Sequence, residues 1–336
     1  MAQQHHDSSA GDVLGAYLRS QATAFLRGLR LHEESGADAA EGVEAARVLR
    51  GAARRISGSL ATYRPVADTG WADGLRTELT WLSTTLADEH AYAARLTRLL
   101  DALHRLSGTG GPEVPAPRGT ARGALTVGSA RAAALLERQL TLARTRAHSA
   151  TLHALGSSRF HAVADAVAVL ASEVPLDPVA AVGRTDQVLV PLSAQVADRL
   201  AVAVAELPLV RAGHPYNAEA LVDDEGQDAP WHRVRTLLRI HRYAQEALTE
   251  DTARLTVAGL ALDRHRDAAE AAGAAAHAAK TPRIAPATAY ALGVLHADQR
   301  HEVEAARFEF QRLWRRAEEP DGADGAALVD EAGIRA

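Results

Sequence analysis

The chain has 336 residues, with no cysteine, one methionine, one lysine and only 4 % aromatic side chains. Without cysteine there is no disulfide scaffold, no thiolate zinc site and no cysteine catalysis. With Lys280 as the sole lysine there is no GxxxxGK phosphate loop, and a Schiff-base lysine would have to sit in an alanine-rich tract. No uninterrupted apolar run approaches the roughly 18 residues of a membrane helix. The opening MAQQHHDSSAGD lacks a basic stretch leading into an apolar one, so no standard export signal is expected. These absences point to a cytoplasmic protein that is not inserted in a membrane. The formal net charge of −5 excludes a protein basic all over, as non-specific DNA binders tend to be, but leaves room for a local basic groove.

What is present is helix. Alanine makes up about a fifth of the chain and loses no side-chain entropy in a helix. Apolar residues recur at helical spacing throughout, and strand alternation is almost absent. The pattern predicts helices over about 13–35, 39–63, 72–106, 120–155, 159–171, 186–206, 229–249, 251–279 and 285–317. Leu75, Leu79, Leu82, Leu86, Leu96 and Leu100 form the apolar stripe of the third. Two sets of long antiparallel helices describe two helical bundles. The expected organisation is an unstructured start (1–10), a first bundle (11–172), a second (173–318) and a flexible tail (319–336). Glu44 to Leu60 can be laid on Ala229 to Gln245 without a gap, matching Arg47, Arg50 and Arg54 to His232, Arg235 and Arg239. Arginine-rich helices also align this way by chance.

His232, Arg235, Arg239 and Arg242 lie at i, i+3, i+7 and i+10, within an arc of about 80° and along about 15 Å of helix. Arg47, Arg50 and Arg54 form a similar stripe, with Leu49, Ala53, Ile56 and Leu60 on a separate apolar face. From Ala45 to Ala67, and again from Trp231 to Tyr243, there is no carboxylate. These two segments hold nine arginines, so the remainder of the chain carries −14. Uncompensated arginine rows suit phosphates, because each guanidinium grips phosphate oxygens through a planar fork. The same rows would also serve as a solvated face bridged to neighbouring helices. No aromatic residues alternate with the arginines, so base stacking has no platform and nucleic acid is not the expected ligand.

Several segments resemble the conserved-histidine α-helical domain (CHAD) family, in order, over about residues 11 to 317. They are VLGAYLRSQ at Val13, RRISGSLATYRP at Arg54, WADGLRTELTWLSTTLADEHAYAARL at Trp71, GSSRF at Gly156, WHRVRTLLRIHRY at Trp231 and LALDRHRDAAEAA at Leu260. The resemblance implies an all-α unit of two pseudo-symmetric antiparallel four-helix bundles with a basic central groove. It also implies binding of inorganic polyphosphate and localisation to polyphosphate granules. Carried over residue by residue, the site comprises Arg47, Arg50, Arg54 and Arg55 of the first signature helix, with His232, Arg235, Arg239, Arg242 and Tyr243 of the second. Arg47 stands where the family has a histidine. His90 followed by Ala91 stands where it has an Arg-Asp pair, and the often basic helix around Ala194 and Gln195 is neutral. His232 is expected to gain charge below about pH 6.5 and tighten anion binding in acid.

Catalytic motifs are missing. His148 and His153, like His296 and His301, are five apart and diverge by about 140° on a helix. HEVEA at His301 lacks the second histidine of HExxH, and EVEAA at Glu302 lacks the lysine of ExExK. GTGG at Gly108 has no preceding strand, and His241 reads as a hydrogen-bonded core histidine. No cofactor, metal or catalytic residue is expected. Three functions stay open: a polyphosphate-binding module without catalysis, a helical scaffold that recruits another protein, and an enzyme acting on phosphoanhydrides.

Overall fold

The computed structural model describes residues 8–35, 39–108, 120–213, 225–249 and 251–316. Most of the Gly- and Pro-rich loop after Ser107, the break after Gly213 and the tail lie outside them. The described residues form α1 (Ala10–Ser35), α2 (Ala39–Thr62), α3 (Thr69–Ser107), α4 (Thr120–Leu155), α5 (Ser158–Ser172), α6 (Pro178–Ala181), α7 (Thr185–Ala205), α8 (Leu209–Ala212), α9 (Glu225–Glu246), α10 (Ala253–Ala279) and α11 (Pro286–Arg316), with one 3-10 turn at Arg64–Val66. The architecture is all-α. Two isolated antiparallel bridges, Ser9 with Arg184 and Ala67 with Leu176, are its only extended pairings among the described residues.

Helix ends follow local chemistry. Asp68 caps α3 by accepting from the Trp71 amide at 2.8 Å, and Gly108 ends it with φ 75°, which glycine adopts without a Cβ clash. Ser157 caps α5 through the Phe160 amide at 3.2 Å. Residues 8 to 10, read as part of an unstructured start, are tied down. The Thr185 amide donates to the Ser8 carbonyl, the Ala10 amide donates to the Gly183 carbonyl at 2.8 Å, and Ala10 is buried.

Three apolar clusters hold the helices. The first joins α1, α2, the first half of α3 and α5, with Leu189 of α7 and Ala244 of α9; Leu49, Ala53, Ile56 and Leu60 of α2 sit in it, on the face that the periodicity assigns to the core. The second joins α7 to α11 around Trp231, Val234, Leu262 and Phe310. The third joins the end of α3 and α4 to α10 and α11, so the two halves of the chain are knitted across residues 172 and 173. This explains a departure along α3, which at 39 residues is about 58 Å long. Leu75 to Leu86 face the first cluster as expected. Beyond them the buried face moves to Leu99, Ala102 and Leu103, while Leu96 and Leu100 are only half-buried, because the helix has passed from one core to another.

By length and composition α7 is apolar enough to cross a membrane, although a 33 % share of its apolar window is buried. Its inward face accounts for part of that composition: Leu189 packs into the first cluster, and Leu200, Ala203 and Val204 into the second, while Val190 and Val202 are exposed.

Where α4 meets α11, a Cβ added at Gly128 would stand 2.1 Å from the Ala287 carbonyl oxygen. Gly128→Ala must therefore push two helix backbones apart. We expect it to lower stability by about 1–3 kcal/mol in urea denaturation, the usual range for overpacking.

Candidate anion-binding site

The arginine rows sit where they do because each shares a helix with an apolar face that is locked into a core. On α9, Trp231, Val234, Leu237 and Leu238 are buried, which turns Arg235 and Arg239 toward α2. Helices α2 and α9 approach closely at Gly58, where a Cβ would lie 2.7 Å from the Tyr243 ring. Tyr63 donates to the Ala244 carbonyl at 2.8 Å, and Tyr17 to Glu246 at 3.1 Å, tying α2 and α1 to the end of α9.

A cleft of about 390 Å³ opens between α2, α3, α9 and α10. Arg50 and Arg54 line it from α2 and Arg235 from α9. From α3 come His90, Arg95 and Arg98; from α10 come Arg266 and the carboxylates Asp263, Asp267 and Glu270. The aligned pairs Arg50 with Arg235 and Arg54 with Arg239 thus converge. Arg239 is set back from the wall but close enough to act on Arg54. Burial, then the charges of Arg239 and Arg50, push the Arg54 guanidinium down to about 10. Burial lowers Arg50 and Arg239 as well, aided by Arg266 on the first and Arg235 on the second. Arg50, Arg54 and Arg239 have no ion-pair or hydrogen-bond partner among the described residues; the field of Asp263 reaches Arg50 and Arg239, but burial and like charge outweigh it at both.

The other expected site residues are placed differently. Arg47 is exposed, lies off the cleft and pairs with Glu44 at 2.6 Å. Arg55 and Arg242 share Glu246, at 2.8 and 3.4 Å, and flank the Tyr243 ring at 5.6 and 5.1 Å from its centroid. These four residues do not line the cleft. Arg235 donates to Asp263 at 2.5 Å. The rows are therefore not uncompensated along their whole length: the carboxylates arrive from Glu44, just before the first segment, from Glu246 and from α10. His241 also departs from expectation, since it is half-buried and its Nδ1 has no hydrogen-bond partner.

Sequence reasoning missed Arg95, Arg98 and Arg266. The signal was there: Arg95 and Arg98 stand at i+4 and i+7 from Ala91 and continue its face along α3. They place positive charge one and two turns beyond the position where the expected arginine is replaced by His90.

Residues 20–261 match the family described as the CHAD domain. The chain belongs to this family. Its similarity to the solved structure of PptA from Streptomyces chartreusis has a TM-score of 0.77 at 60 % sequence identity, covering 92 % of this chain and 100 % of that one. No curated protein matches it.

In this CHAD chain a second, buried ionic cluster anchors the start of α9. The helix begins at Glu225, earlier than the expected 229, and carries Pro230 inside it. Asp228, 8 % exposed, accepts from Arg300 at 2.7 and 3.3 Å and from Arg307 at 2.7 Å. Arg307 also reaches Glu304 at 2.6 Å and the Gln227 carbonyl at 3.2 Å. These contacts hold the extra turn despite the amide that Pro230 lacks. Burial pushes the Asp228 carboxyl up, but the neighbouring His265 and Arg300 outweigh it and hold it well below the usual carboxylate range.

His265 is stacked on Trp231, with ring centroids 5.6 Å apart, and its Nε2 accepts from Arg307 at 3.3 Å. Burial pushes it down to about 4, with Asp228 opposing and Arg307 adding to the fall. A histidine held neutral in the fold loses stability when the unfolded chain protonates first. The loss should begin as pH falls through about 6.5 and reach about 3 kcal/mol by pH 4. Urea denaturation from pH 7 to 4 measures it, and His265→Asn should flatten the profile. His232, edge-on to His265 at 5.4 Å, is also lowered, first by burial and then by Arg235, with Asp228 and Glu270 opposing. It gains charge only at lower pH than the sequence reading expects.

Proposed function

We propose that the cleft binds inorganic polyphosphate and does so without turning it over. The observation that carries this reading is the trio Arg50, Arg54 and Arg239, half-buried and without a carboxylate partner. A fold keeps such repulsion where an anion relieves it, and guanidinium groups bind phosphate oxygens bidentately. Arg235, Arg266, Arg95 and Arg98 extend the same wall. The lining offers no Phe, Tyr or Trp ring for base stacking, which favours a bare phosphate chain over RNA. Membership of the CHAD family supports the reading, and a cytoplasmic location at polyphosphate granules is part of the same proposal.

Competition tests this assignment. Labelled long-chain polyphosphate bound to the full chain should be displaced by unlabelled polyphosphate, but not by single-stranded RNA at equal phosphate concentration, and no orthophosphate should be released. Equal displacement by RNA would assign the cleft to polyanions in general, and orthophosphate release would assign it to catalysis. The pairing of Arg47, Arg55, Arg235 and Arg242 with carboxylates favours a second reading, a helical scaffold for another protein. Failure to bind polyphosphate at all would leave that one standing.

A further inference from the structure

The arginines around the cleft fall into two classes. Arg50 and Arg54 face it without partners. Arg98 donates to Gln299 at 2.5 Å, and Arg235, Arg266 and Arg95 are engaged by carboxylates: Arg235 by Asp263 at 2.5 Å, Arg266 by Asp267 and, at 3.8 Å, by Glu270, and Arg95 by Glu270 as well. All three carboxylates line the cleft. They sit at i, i+4 and i+7 on α10, so they share one face over about 10 Å of helix.

We propose that Asp263, Asp267 and Glu270 are a built-in competitor for the anion, which sets both the affinity of the cleft and its response to salt. This rests on the polyphosphate reading above. An incoming chain meets Arg50 and Arg54 first, because nothing has to be displaced from them. To reach Arg235, Arg266 and Arg95 its phosphates must take the place of α10 carboxylates. Each exchange trades one charge-assisted hydrogen bond for another, so its net gain is small. The displaced carboxylate then repels the bound chain or takes up a cation from solution.

Salt dependence follows. When arginine neutralises a phosphate, a counterion leaves the polyanion, and each such contact adds about 0.7–0.9 to the slope of log affinity against log salt. Where a carboxylate is released at the same time, it recovers a cation and the contribution largely cancels. The wild-type slope should therefore report the unpartnered arginines and fall short of the number of arginines on the wall.

The test is calorimetric titration of long-chain polyphosphate into the full chain at two salt concentrations. Wild type is compared with Asp263→Asn/Glu270→Gln and with Glu270→Gln alone, which keep the side-chain shapes and leave the fold to be checked by circular dichroism. Glu137→Gln/Asp198→Asn makes the same change of net charge at two exposed positions off the cleft. We expect the cleft double variant to bind roughly tenfold tighter, from two partly exposed ion pairs of ordinary strength, with a slope steeper by about 1 to 2. Glu270→Gln alone should lie between, and the off-cleft variant should stay within about twofold of wild type. Unchanged affinity and slope while wild type binds would overturn the proposal, as would equal tightening by the off-cleft variant. Weaker binding, the result expected if these carboxylates held a bridging cation, would overturn it too. No binding by any of the proteins would instead remove the polyphosphate reading, and this proposal with it.

Discussion

Asp228→Ala is expected to destabilise the protein by about 3–5 kcal/mol, the range for removing one partner from a buried ion pair. Arg300 and Arg307 are 1 % and 5 % exposed, so neither can turn to water when the carboxylate goes. Arg307 keeps Glu304 and the Gln227 carbonyl. Arg300 loses the bidentate contact that holds it to α9. The extra turn of α9 before Pro230 should loosen with it, and Trp231, packed against both His265 and Phe310, should report the change by fluorescence. Asp228→Asn, which keeps one acceptor oxygen, should cost less than alanine. A loss below about 1 kcal/mol for alanine in urea denaturation would mean that the cluster does not anchor α9.

Arg54→Ala/Arg239→Ala is expected to move affinity and stability in opposite directions. Hydrogen bonds to charged groups contribute about 1.5–3 kcal/mol each, so losing two should weaken polyphosphate binding by roughly a hundredfold or more. The unliganded protein should be no less stable. The downward push on Arg54, from 12.5 to about 10, marks a cation held against burial and like charge. Relieving it returns on the order of 2–3 kcal/mol, against which stands the packing of two alkyl stems. A residue conserving only the fold would show the reverse, a lower melting temperature with binding intact. Calorimetry and thermal unfolding of the same samples separate the two.

The helices were legible in the sequence because alanine-rich amphipathic segments with clear breaks leave periodicity little competition. The inner half of each basic row was legible as well, since Arg50, Arg54, Arg235 and Arg239 share a helix with a core face that fixes their direction. Arg47 and Arg55 were less so. The pairing of Arg47 with Glu44 is an i, i+3 spacing within α2 that a count of carboxylates from Ala45 onward passes over, whereas nothing within α2 says that Glu246 of α9 comes within reach of Arg55. The acidic wall of the cleft was hidden for a related reason. Asp263, Asp267 and Glu270 are spaced like any solvated helix face, and only packing of α10 beside α9 turns them onto the arginines. The Asp228 cluster had no local signal, because its arginines lie 72 and 79 residues away on α11. The turn of α3 from one core to another came from tertiary packing that overrides a single apolar stripe.

The central claim is that a phosphate chain lies against Arg50, Arg54 and Arg239. Its most direct test is the affinity of the full chain for long-chain polyphosphate at two salt concentrations, measured beside Arg54→Ala/Arg239→Ala. The account predicts micromolar or tighter binding by wild type, weakening with salt with a slope of at least about 2, and loss of that binding in the variant. Wild-type binding that ignores salt, or that the variant retains in full, would contradict it.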